Sequence, residues 1–284
     1  MNERLLSIWI HIKMYKWWYL ALLILIIIIL VWVIIPIIFG IIMFSVIGIL
    51  LFWFDKKVVG MGKDISIKNF PYNKLVNRWG DCWKTSVIEL LAFTNFDQQK
   101  DNTNPLIVKI IDIIKYFKKE KNGDSETLIA SLDKELVNYY EKRHMAYSNP
   151  RNGGNSINFI NIINNLTNKF YIIDTPEEAE LTLPDNSYNK EYKIWTSLSI
   201  TNNINRYKDI IKKASNIIGF IYTIKVLNQQ HVITIIKGKY ANIDDNKYLS
   251  ISDFPMISRS FTIIDNLDQI SPYTTSINIV LFHK

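Results

Sequence analysis

Asn77-Arg78-Trp79-Gly80-Asp81-Cys82-Trp83-Lys84-Thr85-Ser86 runs directly into Val87, Leu90, Leu91 and Thr94, and it holds the one cysteine of the 284-residue chain. The residues from Val87 onward are apolar at helical spacing, which predicts a helix from Cys82 to about Phe96. A thiol at the first turn of a helix meets the positive end of the peptide dipoles and N–H groups with no partner inside the helix. Both favour the thiolate, the reactive form. A lone cysteine also serves as a small buried apolar residue, so the decision falls to other parts of the chain.

Hydrophobic residues make up 49% of the sequence, and many of them form one block near the N-terminus. A single cysteine excludes intramolecular disulfides and zinc sites built from several cysteines, and it suits a reducing compartment. No metal or cofactor is implied. The net charge is +7, with lysines and arginines spread along the chain rather than clustered. No nucleic-acid partner is expected from that pattern.

Residues 17–54 carry no charge. A helix needs about 20 apolar residues to cross a bilayer, and this run is nearly twice as long. The apolar core of a cleavable signal peptide spans only about 7–15 residues, which excludes that reading. Pro36 and Gly40 interrupt the run near its middle. A transmembrane helical hairpin, Trp17 to Ile35 and Ile37 to Phe54, is therefore expected; one long tilted or kinked span is the rival. Arg4, Lys13 and Lys16 precede the run, and Lys56, Lys57 and Lys63 follow it. Basic residues stay on the cytosolic side, and a hairpin returns both flanks there. The expectation is a membrane protein whose following domain faces the cytosol. Residues 1–16 read as an amphipathic segment along the membrane surface, and residues 55–71 as a linker.

From residue 72 the pattern is helical first and strand-rich afterwards. Helices are predicted over 82–96, 106–119, from a cap at Asp124 or Ser125 to Tyr139, and over 156–168. Short β-branched and aromatic runs then begin at Phe170, Tyr192, Phe220, Val232, Tyr248, Phe261 and Ile277, separated by turn residues. Tyr207 to Ser215 adds a helix among them. This is an α+β pattern, helices beside an antiparallel sheet.

Activating a thiol needs an imidazole within hydrogen-bond reach, and that ring needs a polar group to orient it. Of the four histidines, His11 precedes the apolar block, His283 lies next to the C-terminal residue, and His144 follows Lys142 and Arg143 at a helix end. His231 instead opens the strand Val232-Ile233-Thr234-Ile235-Ile236. Asp253 follows the next strand, so an antiparallel pairing makes it a candidate neighbour.

These segments resemble the ubiquitin-specific proteases, a branch of the papain-like cysteine proteases. The family's cysteine box, Asn-Leu-Gly-Asn-Thr-Cys-Tyr-Met-Asn-Ser, is similar to Asn77 through Ser86, with Trp83 as the aromatic. Its second box is similar to Gly153-Gly154-Asn155-Ser156-Ile157-Asn158-Phe159-Ile160. Its histidine box is similar to Gln230-His231-Val232-Ile233-Thr234-Ile235-Ile236, and Tyr248 to Asp253 stands where the family has Trp-Tyr-x-Phe-Asp-Asp. The closing strand resembles Ile279 to His283. The first aspartate of the family's pair falls on Ser252, which leaves Asp253 as the carboxylate. The zinc-binding cysteine pairs of many members are absent.

The resemblance implies a papain-like catalytic domain over residues 72–284. It also implies a membrane-anchored deubiquitinase that cleaves after the C-terminal glycine of ubiquitin. Cys82 is then the nucleophile, His231 the base, Asp253 the orienting carboxylate and Asn77 the oxyanion donor. Ubiquitin or ubiquitin-like conjugates and the lipid bilayer are the implied partners. Alternatives are a thiol protease for another ubiquitin-like modifier, or a catalytically impaired relative that binds such partners at a membrane.

Overall fold

The computed structural model describes residues 17–59, 63–64, 70–75, 80–99, 102–143, 154–173, 192–196, 204–226, 229–252, 261–270 and 273–283. The chain divides into two compact units, Met1–Phe54 and Asp55–Lys284.

A single helix, α1, starts at residue 17 and continues to residue 59. It passes through a π-helical segment, Leu30–Ile34, closed by the Ile35 N–H on Leu30 O, and goes on as Ile35–Val59. The expected hairpin is thereby corrected: the chain does not reverse at Pro36 or Gly40. Proline has no N–H, and its ring crowds the carbonyl four residues back. A widened turn just before Pro36 relieves that crowding and lets the helix continue. Gly40 has nothing within 4 Å of where a Cβ would stand, so it imposes no break. The stretch Trp17–Leu50, 34 residues, is long and apolar enough to cross a membrane. At 1.5 Å per residue it is about 50 Å long, against roughly 30 Å of hydrocarbon. One helix carries its two basic flanks to opposite ends, so the flanking charge no longer selects a side. The expected surface segment, residues 1–16, lies outside the described residues.

In the second unit the strands are β1 (Lys63–Asp64), β2 (Phe170–Ile173), β3 (Tyr192–Thr196), β4 (Ile217–Val226), β5 (Gln229–Lys237), β6 (Tyr248–Ile251), β7 (Phe261–Ile264) and β8 (Thr274–His283). They form one sheet in the order β1-β7-β6-β5-β4-β8-β3-β2. All neighbours are antiparallel except β2 with β3, which run parallel. All seven expected strand segments are present. β1 is an addition, formed by residues expected to be linker.

The helices are α2 (Cys82–Ala92), α3 (Pro105–Phe117), α4 (Ser125–Glu141), α5 (Ser156–Thr167), α6 (Ile204–Lys213) and the short α7 (Gly238–Ala241). Local chemistry sets their ends. Asn104 caps α3 with Pro105 at its first position, Asp124 accepts from the N–H groups of Glu126 and Thr127, and Asn155 accepts from Ile157 N–H. α2 stops earlier than its apolar spacing suggests. Thr94 Oγ1 donates to Leu91 O at 2.6 Å and accepts from Phe96 N–H at 3.1 Å, diverting the backbone from the helical ladder.

α2 is the central helix: it packs against α3, α5, β4 and β5. Its Val87, Ile88, Leu90 and Leu91 join Ile110, Ile114, Phe159, Ile163, Ile221 and Ile236 in one apolar core. Close approach to β4 depends on Gly219, where a Cβ would stand 2.3 Å from Ile235 O and 3.1 Å from Leu90 Cδ1. The first turn of α2 is also held by charge. Lys84, 0% exposed, sets its ammonium 2.7 Å from Asp81 Oδ1 and against the carboxylate of Asp133 on α4. Removing one partner of a buried charge group leaves the others uncompensated and costs about 3–5 kcal/mol. Lys84→Met is therefore expected to lower the unfolding midpoint of the detergent-solubilised chain sharply in urea titration; an unchanged midpoint would refute this role.

Candidate active site

Gly80 has φ +92°, a left-handed conformation that residues with a Cβ rarely adopt, and Asp81 and Cys82 follow it directly. That turn delivers the chain into α2. The N–H groups of Lys84 and Thr85 bond back to Asp81 O at 2.9 and 3.1 Å, so Cys82 is the first residue of the helix, as its sequence predicts. The thiol-bearing residue is half-buried, between the fully buried Asp81 and Trp83.

The second box meets the first. Ser156 Oγ donates to Trp83 O at 3.1 Å, and a Cβ on Gly154 would stand 2.3 Å from the Trp83 ring. Only glycine lets the backbone ahead of α5 lie flat on that indole, which packs edge-on to Phe159.

The third box reaches α2 by another hydroxyl. Ser86 Oγ lies 2.6 Å from Cys82 O and 3.4 Å from Val232 O, so one side chain joins the backbone of the cysteine to that of the residue after His231. One turn further along, Thr234 Oγ1 lies 3.2 Å from Ser86 O and 2.9 Å from Glu89 Oε2. α2 and β5 therefore ascend together, and the turn carrying Cys82 is level with the start of β5. Val232 and Thr234 face the helix. Strand alternation gives His231 the opposite face.

His231 is 4% exposed, and its Nε2 lies 3.2 Å from Oγ of Ser252, itself 1% exposed. The register pairs Thr234 with Ile251, which makes residue 252 a diagonal neighbour of His231 on the adjoining strand. Burial pushes the imidazole pKa down from 6.5 to about 3, so the ring is neutral at physiological pH. Of the expected site residues, Cys82 opens α2 and His231 lies on β5 one residue before the Val232 carbonyl that Ser86 Oγ approaches, on the strand face opposite α2. Asn77 and Asp253 lie outside the described residues. Ser252 was passed over in the sequence for the carboxylate beside it, although the resemblance already aligned Ser252 with the first aspartate of the family's pair. Glu89 and Thr234 were not singled out; a carboxylate and a hydroxyl on two apolar elements were the available signal.

No protein-family model matches the chain, and no curated protein matches it. Solved structures do. A chain of the SAGA Ubp8/Sgf11/Sus1/Sgf73 DUB module bound to ubiquitin aldehyde is 8% identical; the match covers 78% of this chain and 71% of that one, with TM-score 0.48. The Saccharomyces cerevisiae PAN2 pseudoubiquitin-hydrolase is 11% identical, with 77% and 89% covered and TM-score 0.47. The Pan2 pseudoubiquitin hydrolase–RNA exonuclease module of the same yeast, in complex with AAGGA RNA, is 10% identical, with 78% and 56% covered and TM-score 0.45. The structural neighbours thus include ubiquitin-hydrolase folds, and each likeness is one of backbone course.

The buried ring has a consequence for stability. The unfolded chain takes up a proton at His231 below about pH 6.5, whereas the native state does so only near pH 3. This contribution is complete above pH 6.5 and is lost as the pH falls toward 3, at roughly 1.4 kcal/mol per pH unit. Urea titrations of the detergent-solubilised chain between pH 6.5 and 4.5 are expected to show about 2–3 kcal/mol more loss for the parent than for His231→Asn. Equal slopes would show that the ring is not held neutral.

Proposed function

We propose that the chain is a membrane-anchored thiol protease acting on ubiquitin conjugates. The observation that carries this reading is the Ser86 hydroxyl shared by the carbonyls of Cys82 and Val232, which brings the helix-first thiol to the strand of the one buried histidine among the described residues. His231 is assigned as the base that takes the proton of Cys82, as the resemblance implies, and the thiolate attacks the carbonyl of the scissile bond. The imidazolium then returns the proton to the leaving amine. Asn77 is assigned the developing oxyanion, as the resemblance implies. Ubiquitin is proposed as the modifier on the four ordered boxes of sequence; another ubiquitin-like protein is the nearest variant.

A ubiquitin C-terminal electrophile is the direct probe. Covalent labelling is expected on Cys82, to vanish in Cys82→Ala and to fall by about 10²–10⁴ in His231→Ala. The neutral, shielded His231 and the serine beside it favour a second reading, an inactive module that binds ubiquitin-like partners. Absence of labelling with ubiquitin binding intact would establish that second reading and overturn the first.

The stretch Trp17–Leu50 is assigned to the bilayer and the following domain to the cytosol, where a lone thiol stays reduced. Asn165-Leu166-Thr167 forms an N-glycosylation sequon with Asn165 exposed on α5, a built-in reporter of sidedness. The chain from cells is expected to run without a glycan. A mass shift abolished by glycosidase and by Asn165→Gln would put the domain in the lumen.

A further inference from the structure

We propose that the end of the sheet at which β5 stops is a docking rim for anionic lipid headgroups on the bilayer that holds the chain. The inference rests on the assignment of Trp17–Leu50 to the membrane and does not depend on the protease chemistry. The register gathers basic residues at that end. Lys237 closes β5 opposite Tyr248, Gly238 N–H donates to Lys247 O at 2.8 Å, and the exposed Lys239 follows on α7. The Lys237 ammonium donates to Ala214 O at 2.6 Å, which holds the last turn of α6, with the exposed Lys212 and Lys213, beside the same strand end. Lys193 and Lys169 extend the row near the starts of β3 and β2. Four aspartates share this end. Asp268 lies 3.6 and 3.7 Å from the ammonium groups of Lys208 and Lys212, Asp265 lies 3.3 Å from that of Lys247, and Asp244 and Asp245 are exposed on the turn after α7. The lysines outnumber them, and Lys213 and Lys239 make no ion pair among the described residues. Cations suit the last turn of any helix, which accounts for Lys212 and Lys213 but not for Lys239, Lys193 and Lys169.

The chain also arrives at this end. β1 pairs Lys63 with Ile263 of β7, and β7 finishes at Ile264 opposite Tyr248, so β1 starts beside the same rim. Residues 60–62 are all that separate Lys63 from Val59, the last residue of α1, and four Cα steps span at most about 14 Å. A basic residue close to an anionic leaflet strengthens binding roughly fivefold. A short tether makes even weak binding effective, because it keeps the local concentration of the two surfaces high. The attraction decays over about 8–10 Å at physiological salt. The exposed Lys225 pairs with Gln230 near the other end of β5, about 23 Å along the strand from Lys237, and falls outside that range.

The test reconstitutes the full chain in nanodiscs of phosphatidylcholine alone or with about 30% phosphatidylserine, and reads the acetylation of each lysine by mass spectrometry. With phosphatidylserine present, modification of Lys212, Lys213 and Lys239 is expected to fall about threefold or more and to recover in about 0.5 M sodium chloride. Lys225 is expected to react equally in both discs. In the double variant Lys213→Glu with Lys239→Glu, the protection of Lys212 is expected to disappear, with the melting temperature monitored alongside. Equal modification of the three lysines in the two discs overturns the proposal, as does protection that Lys225 shares or that the double variant retains at Lys212. Protection by added oligoadenylate, with none from phosphatidylserine, would assign the rim to a nucleic acid and overturn it too. Release of the chain from vesicles by alkaline carbonate would sink the anchor reading and the docking proposal with it; labelling of Cys82 by the ubiquitin probe is decided separately.

Discussion

The oxygen of Ser86 touches two carbonyls, that of Cys82 four residues back in its own helix and that of Val232 on the central strand. This contact sets the height of α2 against β5, and much of the second unit follows from it. With Ser86 at Val232, Glu89 comes level with Thr234, and Leu90 reaches the gap left by Gly219. The polar atoms occupy one narrow line across an otherwise apolar interface. Buried hydroxyls and carboxylates of this kind are costly when unpartnered, so a one-residue slip of the helix would strand several of them at once. The arrangement is directional as well as stable.

Charge works at the same end of the helix. Lys84 binds Asp81 just ahead of α2 and Asp133 across to α4, so the turn bearing the thiol is anchored from behind as well as through Ser86. Gly80 supplies the backbone conformation that brings the chain in. The position of Cys82 is thus fixed by a glycine turn, a buried charge group and a bridging hydroxyl.

Much of this was legible in the sequence because period and punctuation carry it. The stripes on α3, α4 and α5, the cap at Asp124 and the β-branched runs mark elements that tertiary packing had no reason to override. Three features escaped. The parallel pairing of β2 with β3 depends on a long connection rather than on either strand's composition. The two residues of β1 are too few for any period. The apolar block was misread because Pro36 was taken as a point of reversal, whereas a π segment can absorb a proline without ending a helix. Among the candidate residues, Cys82 and His231 stand out in the sequence by residue type and neighbours. The hydroxyl that lies 3.2 Å from His231, that of Ser252, was passed over because a carboxylate one position on is the more familiar partner of an imidazole.

One cysteine in the whole chain also bears on how the protein would meet an oxidant. A thiol at a helix start, once converted to its sulfenic acid, is commonly rescued by a second thiol that closes a disulfide before further oxidation. Here no such partner exists within the chain. Recovery depends on a thiol from outside, and without one each further oxidation step is irreversible at the one thiol of the sequence.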